Sequence, residues 1–371
     1  MDRLFAPGQI GALTLPNRLV RSATAEHLAD ALGRPQERLW TLYRELAQGG
    51  IGLLVTGHLC VHPSGRAHPN MGGIYDDSLT PGLASLVQTV HAAGGKVAAQ
   101  LNHGGRQCSP ETVAEAMGPS EAQMPNRQGP VRAMSPDDIA VVVAAFAQAA
   151  RRAQEAGFDA VQLHGAHGYL ISQFLSPHAN RRSDAWGGDL EGRMRFLRSV
   201  VGAVRAQVGP AFPVFIKLGV ADGVEGGLSL EEGAKVVAAL EGMGLDAVEV
   251  SGGLGGEKLN VPKAIRGKAD EGYFRPLARA VRPSTRLPLI LVGGFRSRAI
   301  MEETLAAGEA DFISLCRPLV WEPDLPRRLA QEREGQARCI SCGRCWPEGP
   351  GDVGISCKVL RERQAKRGAG G

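Results

Sequence analysis

His164, His167 and Tyr169 stand in one short stretch, His164-Gly165-Ala166-His167-Gly168-Tyr169. Two imidazoles and a phenol bring N–H and O–H donors to one place. Three hydrogen-bond donors so close together mark a candidate functional site. A lone histidine is more often a satisfied structural residue. Three such groups together, directly after an apolar run, favour the functional reading. The run, Phe158-Asp159-Ala160-Val161-Gln162-Leu163, has the look of a buried parallel strand.

The same punctuation recurs along the chain. A helical pattern ends at glycine or proline, a short apolar strand follows, and a polar residue closes it. The strands expected in this way begin at Arg18, Ile51, Lys96, Phe158, Pro213, Leu245, Pro288 and Ala310. Glycine after a helix takes the left-handed position without a Cβ penalty. Between most strands lie helical patterns. The clearest starts with Ser135 as N-cap, Pro136 in the first turn and Asp138 closing a capping box, and puts Ile139, Val142, Val143, Phe146, Ala149, Ala150 and Ala153 on one face. Strand alternating with helix implies a parallel sheet, and eight such units fit an α/β fold of the (β/α)8 TIM-barrel kind. An open doubly wound sheet is the runner-up. The first strand is not followed by the Gly-x-Gly-x-x-Gly turn that such a sheet would use.

In such a barrel the chemistry gathers at the C-terminal strand ends. Those ends supply Ala23-Thr24-Ala25, Gly57, Gln100, the His164–Tyr169 stretch, Lys217, Ser251-Gly252, Gly293-Gly294 and Arg317. Glycine turns with one fixed cation form an anion nest, and barrels often hold phosphate after the seventh and eighth strands. A glutamine amide can read a pyrimidine-type edge, and a lysine can stabilise negative charge on a ring. Together they describe a flavin mononucleotide (FMN) site. Each also has a plain alternative: tight turns for the glycines, a salt bridge for Lys217, a solvated strand end for Gln100. Two long loops, 104–134 and 171–190, are expected to cover the mouth.

Four of the seven cysteines lie close together near the end of the chain: Cys339, Cys342 and Cys345 at Cys-x-x-Cys-x-x-Cys spacing, then Cys357. This is a metal or cluster pattern. Four thiolates would suit zinc equally, and the Gly349-Pro350-Gly351 loop would let the fourth return. The domain reading is therefore a barrel over 1–335, a short C-terminal cysteine-rich extension over 336–361, and a frayed tail over 362–371. Of the 371 residues 22% are charged and the formal charge is +4. No basic stripe with interleaved aromatics points to nucleic acid, and no apolar run approaches the length of a membrane span. A cytoplasmic enzyme acting on a small molecule is the expectation, with a homo-oligomer allowed.

The sequence resembles the Old Yellow Enzyme family of FMN-dependent ene-reductases. The matching residues are Leu15-Pro16-Asn17-Arg18-Leu19-Val20, Gln100-Leu101-Asn102-His103-Gly104-Gly105-Arg106, the stretch from His164 through Trp186-Gly187-Gly188 to Arg193, then Lys217, Gly293-Gly294 and Arg317-Pro318-Leu319. The resemblance implies that His164 and His167 hold the carbonyl oxygen of an α,β-unsaturated substrate and that Tyr169 supplies a proton. It implies that Gln100 and Lys217 contact the flavin ring, that Ser251, Gly252, Gly293, Gly294 and Arg317 surround its phosphate, and that Ala23, Thr24, Ala25 and Gly57 line it. NADH or NADPH would be the reductant. Ala23 stands where many relatives have proline, and Ala25 where many have cysteine or threonine. The cysteine segment resembles that of trimethylamine dehydrogenase and, less closely, 2,4-dienoyl-CoA reductase, which implies a [4Fe–4S] cluster on Cys339, Cys342, Cys345 and Cys357. That leaves a second functional expectation: an iron–sulfur flavoprotein exchanging electrons with a separate partner. A non-redox, phosphate-binding barrel is a third.

Overall fold

The computed structural model describes residues 2–122, 129, 131–254, 264–347 and 354–368. The Gly349-Pro350-Gly351 loop lies outside them. Eight parallel strands close on themselves: β1 Leu19–Arg21, β2 Leu53–Cys60, β3 Val97–Asn102, β4 Ala160–Gly165, β5 Val214–Gly219, β6 Val248–Ser251, β7 Leu289–Val292 and β8 Phe312–Leu315, with β8 pairing back onto β1. This is the (β/α)8 barrel expected from the sequence. Helices over Glu37–Gln48, Thr80–Ala92, Pro136–Glu155, Leu190–Val208, Leu230–Leu240, Arg275–Val281 and Arg298–Ala306 lie between consecutive strands. The Pro136–Glu155 helix carries the expected Ser135–Asp138 capping box and buries the expected face apart from Val143, which is half-buried. No helix among the described residues is long and apolar enough to cross a membrane.

Side chains along a strand alternate faces, so every second residue points into the barrel. Val20, Ala98, Ala160, Phe215, Ala247, Ile290 and Phe312 form one apolar cluster inside, closed below by Ile10, Leu13 and Leu15 of an antiparallel hairpin, Gly8–Ile10 with Leu13–Leu15. Two residues further along the same strands come Ser22, Gln100, Gln162, Lys217, Glu249, Val292 and Ser314. All but Val292 of these are polar, and each polar one is at most 3% exposed. The barrel is thus stacked: an apolar floor, a polar storey, and above that the strand ends. Filled layers contributed by many strands are how such barrels are packed.

Three expectations are modified. Strand β2 does not stop at Thr56-Gly57 but runs to Cys60, with a register shift between Val55 and His58 where it pairs with β3. Gly57 sits inside that irregularity, and its N–H donates to Glu26 Oε1 at 3.0 Å. The 104–134 loop is partly ordered by a small ladder, Met117–Gly118 with Arg132–Ala133. The tail is not frayed from 362: a helix runs over Lys358–Gly368, with Arg344 paired to Glu362 and Arg363 over the Trp321 ring.

A Cβ on Gly57 would fall 1.8 Å from Glu26 Oε2, and Glu26 is itself held by Arg21 and Tyr43. Gly57→Ala is therefore expected to cost about 1–3 kcal/mol, the usual cost of overpacking. Denaturant unfolding measures it; an unchanged midpoint would mean that Glu26 yields freely.

Candidate functional site

Above the polar storey opens a cavity of about 470 Å³. Its walls include Ala23, Thr24, Ala25, His167, Tyr169, Lys217, Ser251, Gly252 and Arg317, all expected from the sequence. They also include Cys316, which ends the last strand beside Arg317 as the sequence places it, and Gln107, Tyr273, Phe274 and Trp346, which were not expected. Gln100, Gly57, His164, Gly293 and Gly294 are not in that wall. His164 stands just behind it, its ring 4.8 Å from that of Tyr169 and 5.3 Å from that of His167. Gly293 lies beside the wall: its carbonyl accepts the Tyr273 N–H at 3.0 Å, and a Cβ there would meet the Phe274 nitrogen at 3.1 Å. Gly57 lines a separate small cavity under Glu26.

Both histidines are held neutral. His164 Nδ1 accepts the Ala166 N–H at 3.3 Å, which leaves the proton on Nε2. Burial, helped by His167, His58 and Lys217, pushes its pKa well below the ordinary histidine value. His167 is lowered to about 3 by burial and by Lys217, and its Nε2 lies 2.8 Å from Ser251 Oγ. His167 adopts the left-handed backbone, φ 59°, as only His27 and Ser341 do among the described non-glycine residues. Such a conformation persists only where its surroundings over-determine it, and it is commonest at sites of function. Burial raises Tyr169 to about 12, so the phenol keeps its proton at neutral pH.

Below the cavity the polar storey is wired across the barrel. Glu249, with no exposure, accepts from Ser22 Oγ at 2.8 Å, Lys217 Nζ at 3.0 Å, Ser314 Oγ at 2.9 Å and Gln162 Nε2 at 2.8 Å. Lys217 Nζ also donates to Ser22 Oγ at 2.7 Å. An ammonium has three protons. The third has no partner among the described residues, and Lys217 is in the cavity wall. Burial pushes the Glu249 carboxyl up, but Lys217 and the hydrogen bonds from Lys217, Gln162 and Ser22 outweigh it and hold it below its ordinary value. The Gln100 amide donates to Gln162 Oε1 at 2.7 Å. Gln162, Glu249 and Ser314 were missed in the sequence. The signal was there: each follows an inward apolar residue by two.

A second missed group lies beside Tyr169. The His58 ring is 5.2 Å from the phenol ring; its Nδ1 is 2.9 Å from Asn102 Nδ2 and its Nε2 is 3.2 Å from His68 Nε2. Cys339 and Cys345 are buried, Cys357 half-buried and Cys342 exposed. Burial, then Cys316, Cys339, Cys357 and Cys342 in that order, raises Cys345 to about 12, so the thiols are near neighbours. Yet no three metal-binding side chains among the described residues are gathered in a ligating arrangement. The donor set is right in kind for an all-thiolate centre. The segment does touch the barrel mouth: Arg317 Nη1 donates to the Ser341 carbonyl at 2.9 Å, and Trp346 is in the cavity wall.

Residues 3–336 match the sequence profile of the NADH:flavin oxidoreductase / NADH oxidase family. The chain belongs to that family. FMN and a nicotinamide reductant come with it at the level of the family, and the cavity fits FMN: Lys217 and Arg317 for negative charge, aromatic walls for a flat ring. The chain is 34% identical to an NADH oxidase of Thermoanaerobacter brockii over 91% of its own length and 52% of that protein's. It is 32% identical to a 4,4'-dithiodibutanoate disulfide reductase of Rhodococcus erythropolis, covering 93% of this chain and 92% of that one. It thus spans about half of the first relative and nearly all of the second. Among solved structures, the old yellow enzyme homologue from Zymomonas mobilis superposes with a TM-score of 0.78 at 27% identity, over 94% of this chain and 97% of that one.

The buried histidines make a pH prediction. His58, His103, His164 and His167 all have lowered pKa values, to about 4, about 3, well below the ordinary value, and about 3. Unfolded, they titrate near ~6.5. Between that value and about 4 the unfolded state binds more protons, so stability falls as pH falls, by up to about 1.4 kcal/mol per pH unit for each histidine. Denaturation midpoints should be flat from about pH 8 to 7 and drop steadily below about 6.5. A flat midpoint down to about pH 5 would mean that these imidazoles are already charged in the folded protein.

Proposed function

We propose that the protein is an FMN-dependent ene-reductase that uses NADH or NADPH to reduce the C=C bond of α,β-unsaturated carbonyl compounds. The observation that carries this reading is the cluster at the cavity: a neutral His167 and a phenol that holds its proton until about pH 12 in the wall, and just behind them a neutral His164 with its proton on Nε2. FMN, when bound, supplies hydride-transfer chemistry. Everything else falls to side chains of this chain. The two imidazoles donate hydrogen bonds to the substrate oxygen and stabilise the negative charge that gathers there. Because they are uncharged, they polarise the carbonyl without protonating it. Tyr169 holds the proton that the other carbon needs. Lys217 offers its remaining proton to the flavin ring, and Gln100 is held just below. Arg317, with Ser251, Gly252, Gly293 and Gly294, would hold the phosphate. Ala23, Thr24 and Ala25 line the cavity through short side chains, and Gly57 supports that loop through Glu26.

Tyr169→Phe is expected to slow oxidation of the reduced protein by an enone by about 10²–10⁴-fold, the range for loss of a general acid. Reduction by NAD(P)H should stay largely unchanged, since no proton from Tyr169 is needed there. Stopped-flow measurement of the two half-reactions separates them. Normal enone turnover in Tyr169→Phe would assign the proton to another source. The chromophore released by heat should be FMN; FAD, or none from cells supplied with flavin, would overturn the reading.

A second reading has its own observation. Beyond burial, the neighbouring thiols Cys339, Cys357 and Cys342 raise Cys345, Cys342 raises Cys357, and Trp346, next to Cys345, is in the cavity wall. A [4Fe–4S] cluster there would make the protein an iron–sulfur flavoprotein that passes electrons to a separate partner; zinc would make the segment a structural clip. Protein purified without oxygen should carry iron and acid-labile sulfide. About one zinc per chain and no labile sulfide would decide for the clip.

A further inference from the structure

The Glu249 carboxylate is fully buried in the polar storey and touches neither the cavity nor the substrate rim. Its neighbours do. Lys217 and Ser22, both bonded to Glu249 Oε1, are in the cavity wall, as is Ser251, two residues further along the same strand. The remaining members of the storey, Ser22, Gln100, Gln162 and Ser314, carry no charge. The storey therefore holds one cation and one anion 3.0 Å apart. A ring bound above Lys217 would meet one end of an ion pair and not a bare ammonium. In an enclosed, poorly screened site that difference is large, because a charge acts over distance with little attenuation there. His167 already reports the balance: Lys217 lowers its pKa and Glu249 raises it.

We propose that Glu249 is a positioning residue whose buried charge offsets Lys217 and so sets how strongly the site favours the reduced, more negatively charged flavin. This rests on the reading of the cavity as an FMN site. Removing the Glu249 charge leaves the Lys217 ammonium uncompensated and shifts the flavin equilibrium toward the reduced form. Removing the Lys217 charge does the opposite. Removing both restores a balanced, uncharged storey. A merely structural role for Glu249 predicts no such opposition of signs.

The experiment uses the FMN-loaded protein as Glu249→Gln, Glu249→Asp, Lys217→Met and the double variant Lys217→Met/Glu249→Gln. Midpoint potentials are read from anaerobic spectra against a reference dye. Glu249→Gln should shift to a more positive potential and Lys217→Met to a more negative one. The double variant should fall between them, and Glu249→Asp, which keeps the charge, should return close to the wild type. Should Glu249→Gln fail to fold, Lys217→Met and the double variant still decide: the second charge removal must bring the potential back up. A Glu249→Gln protein with bound FMN at the wild-type potential, or a double variant no different from Lys217→Met, overturns the proposal. Wild-type protein that takes up no FMN overturns the flavin reading instead, and this inference with it.

Discussion

Everything above the apolar floor depends on one ion pair, Lys217 with Glu249, closed inside the barrel at 3.0 Å. Two charges taken out of water are costly, and their attraction repays this only when the geometry is good and the remaining polar atoms are satisfied. Here Ser22, Ser314 and Gln162 complete the carboxylate, and Ser22 also accepts from the ammonium, which keeps one proton for the cavity. The pair joins neighbouring strands β5 and β6, and its partners come from β1, β4 and β8. Losing either charge alone would strand the other, which typically costs about 3–5 kcal/mol. The pair therefore fixes the barrel interior and the field at its mouth by the same contact.

How much of this was legible follows from which signals are local. Strand β4 announces itself through Gly157 and an apolar run, and the helix after Ser135 through its cap; both are where the sequence puts them. His167, Tyr169, Lys217, Ser251, Gly252 and Arg317 meet at one cavity because strand ends of a closed barrel must converge. What escaped was the interior. Gln162 and Glu249 lie within apolar runs and read as incidental polar residues, because their partners are far away in sequence: Ser22 is 227 residues from Glu249. Gln100 was read as a strand-end residue reaching the mouth. It is one step lower, since β3 continues to Asn102. Gly57 was displaced by the register shift in β2, which no propensity reveals.

The cysteine-rich segment was expected as a short extension of the barrel, and its described residues touch the barrel mouth. Ser341, in a left-handed conformation, gives its carbonyl to Arg317; Trp346 faces the cavity; and the Ile355 N–H donates to the Glu26 carbonyl at 2.7 Å. Whatever the four thiols hold, the same backbone that carries them also shapes the barrel mouth. The segment and the residues around Arg317 would have to be exchanged together in any chimera.

The chain of amides from Glu249 has a direction. A carboxylate can only accept, so Gln162 must turn its nitrogen toward Glu249 and its oxygen toward Gln100. Gln100 must then answer with its own nitrogen, and its oxygen is left over. The orientation of an amide group is an either/or choice, and here it is made two side chains away by a charge that never reaches the ligand. The sealed interior thus sets a one-bit choice in the layer just below the mouth: which end of Gln100 is an acceptor.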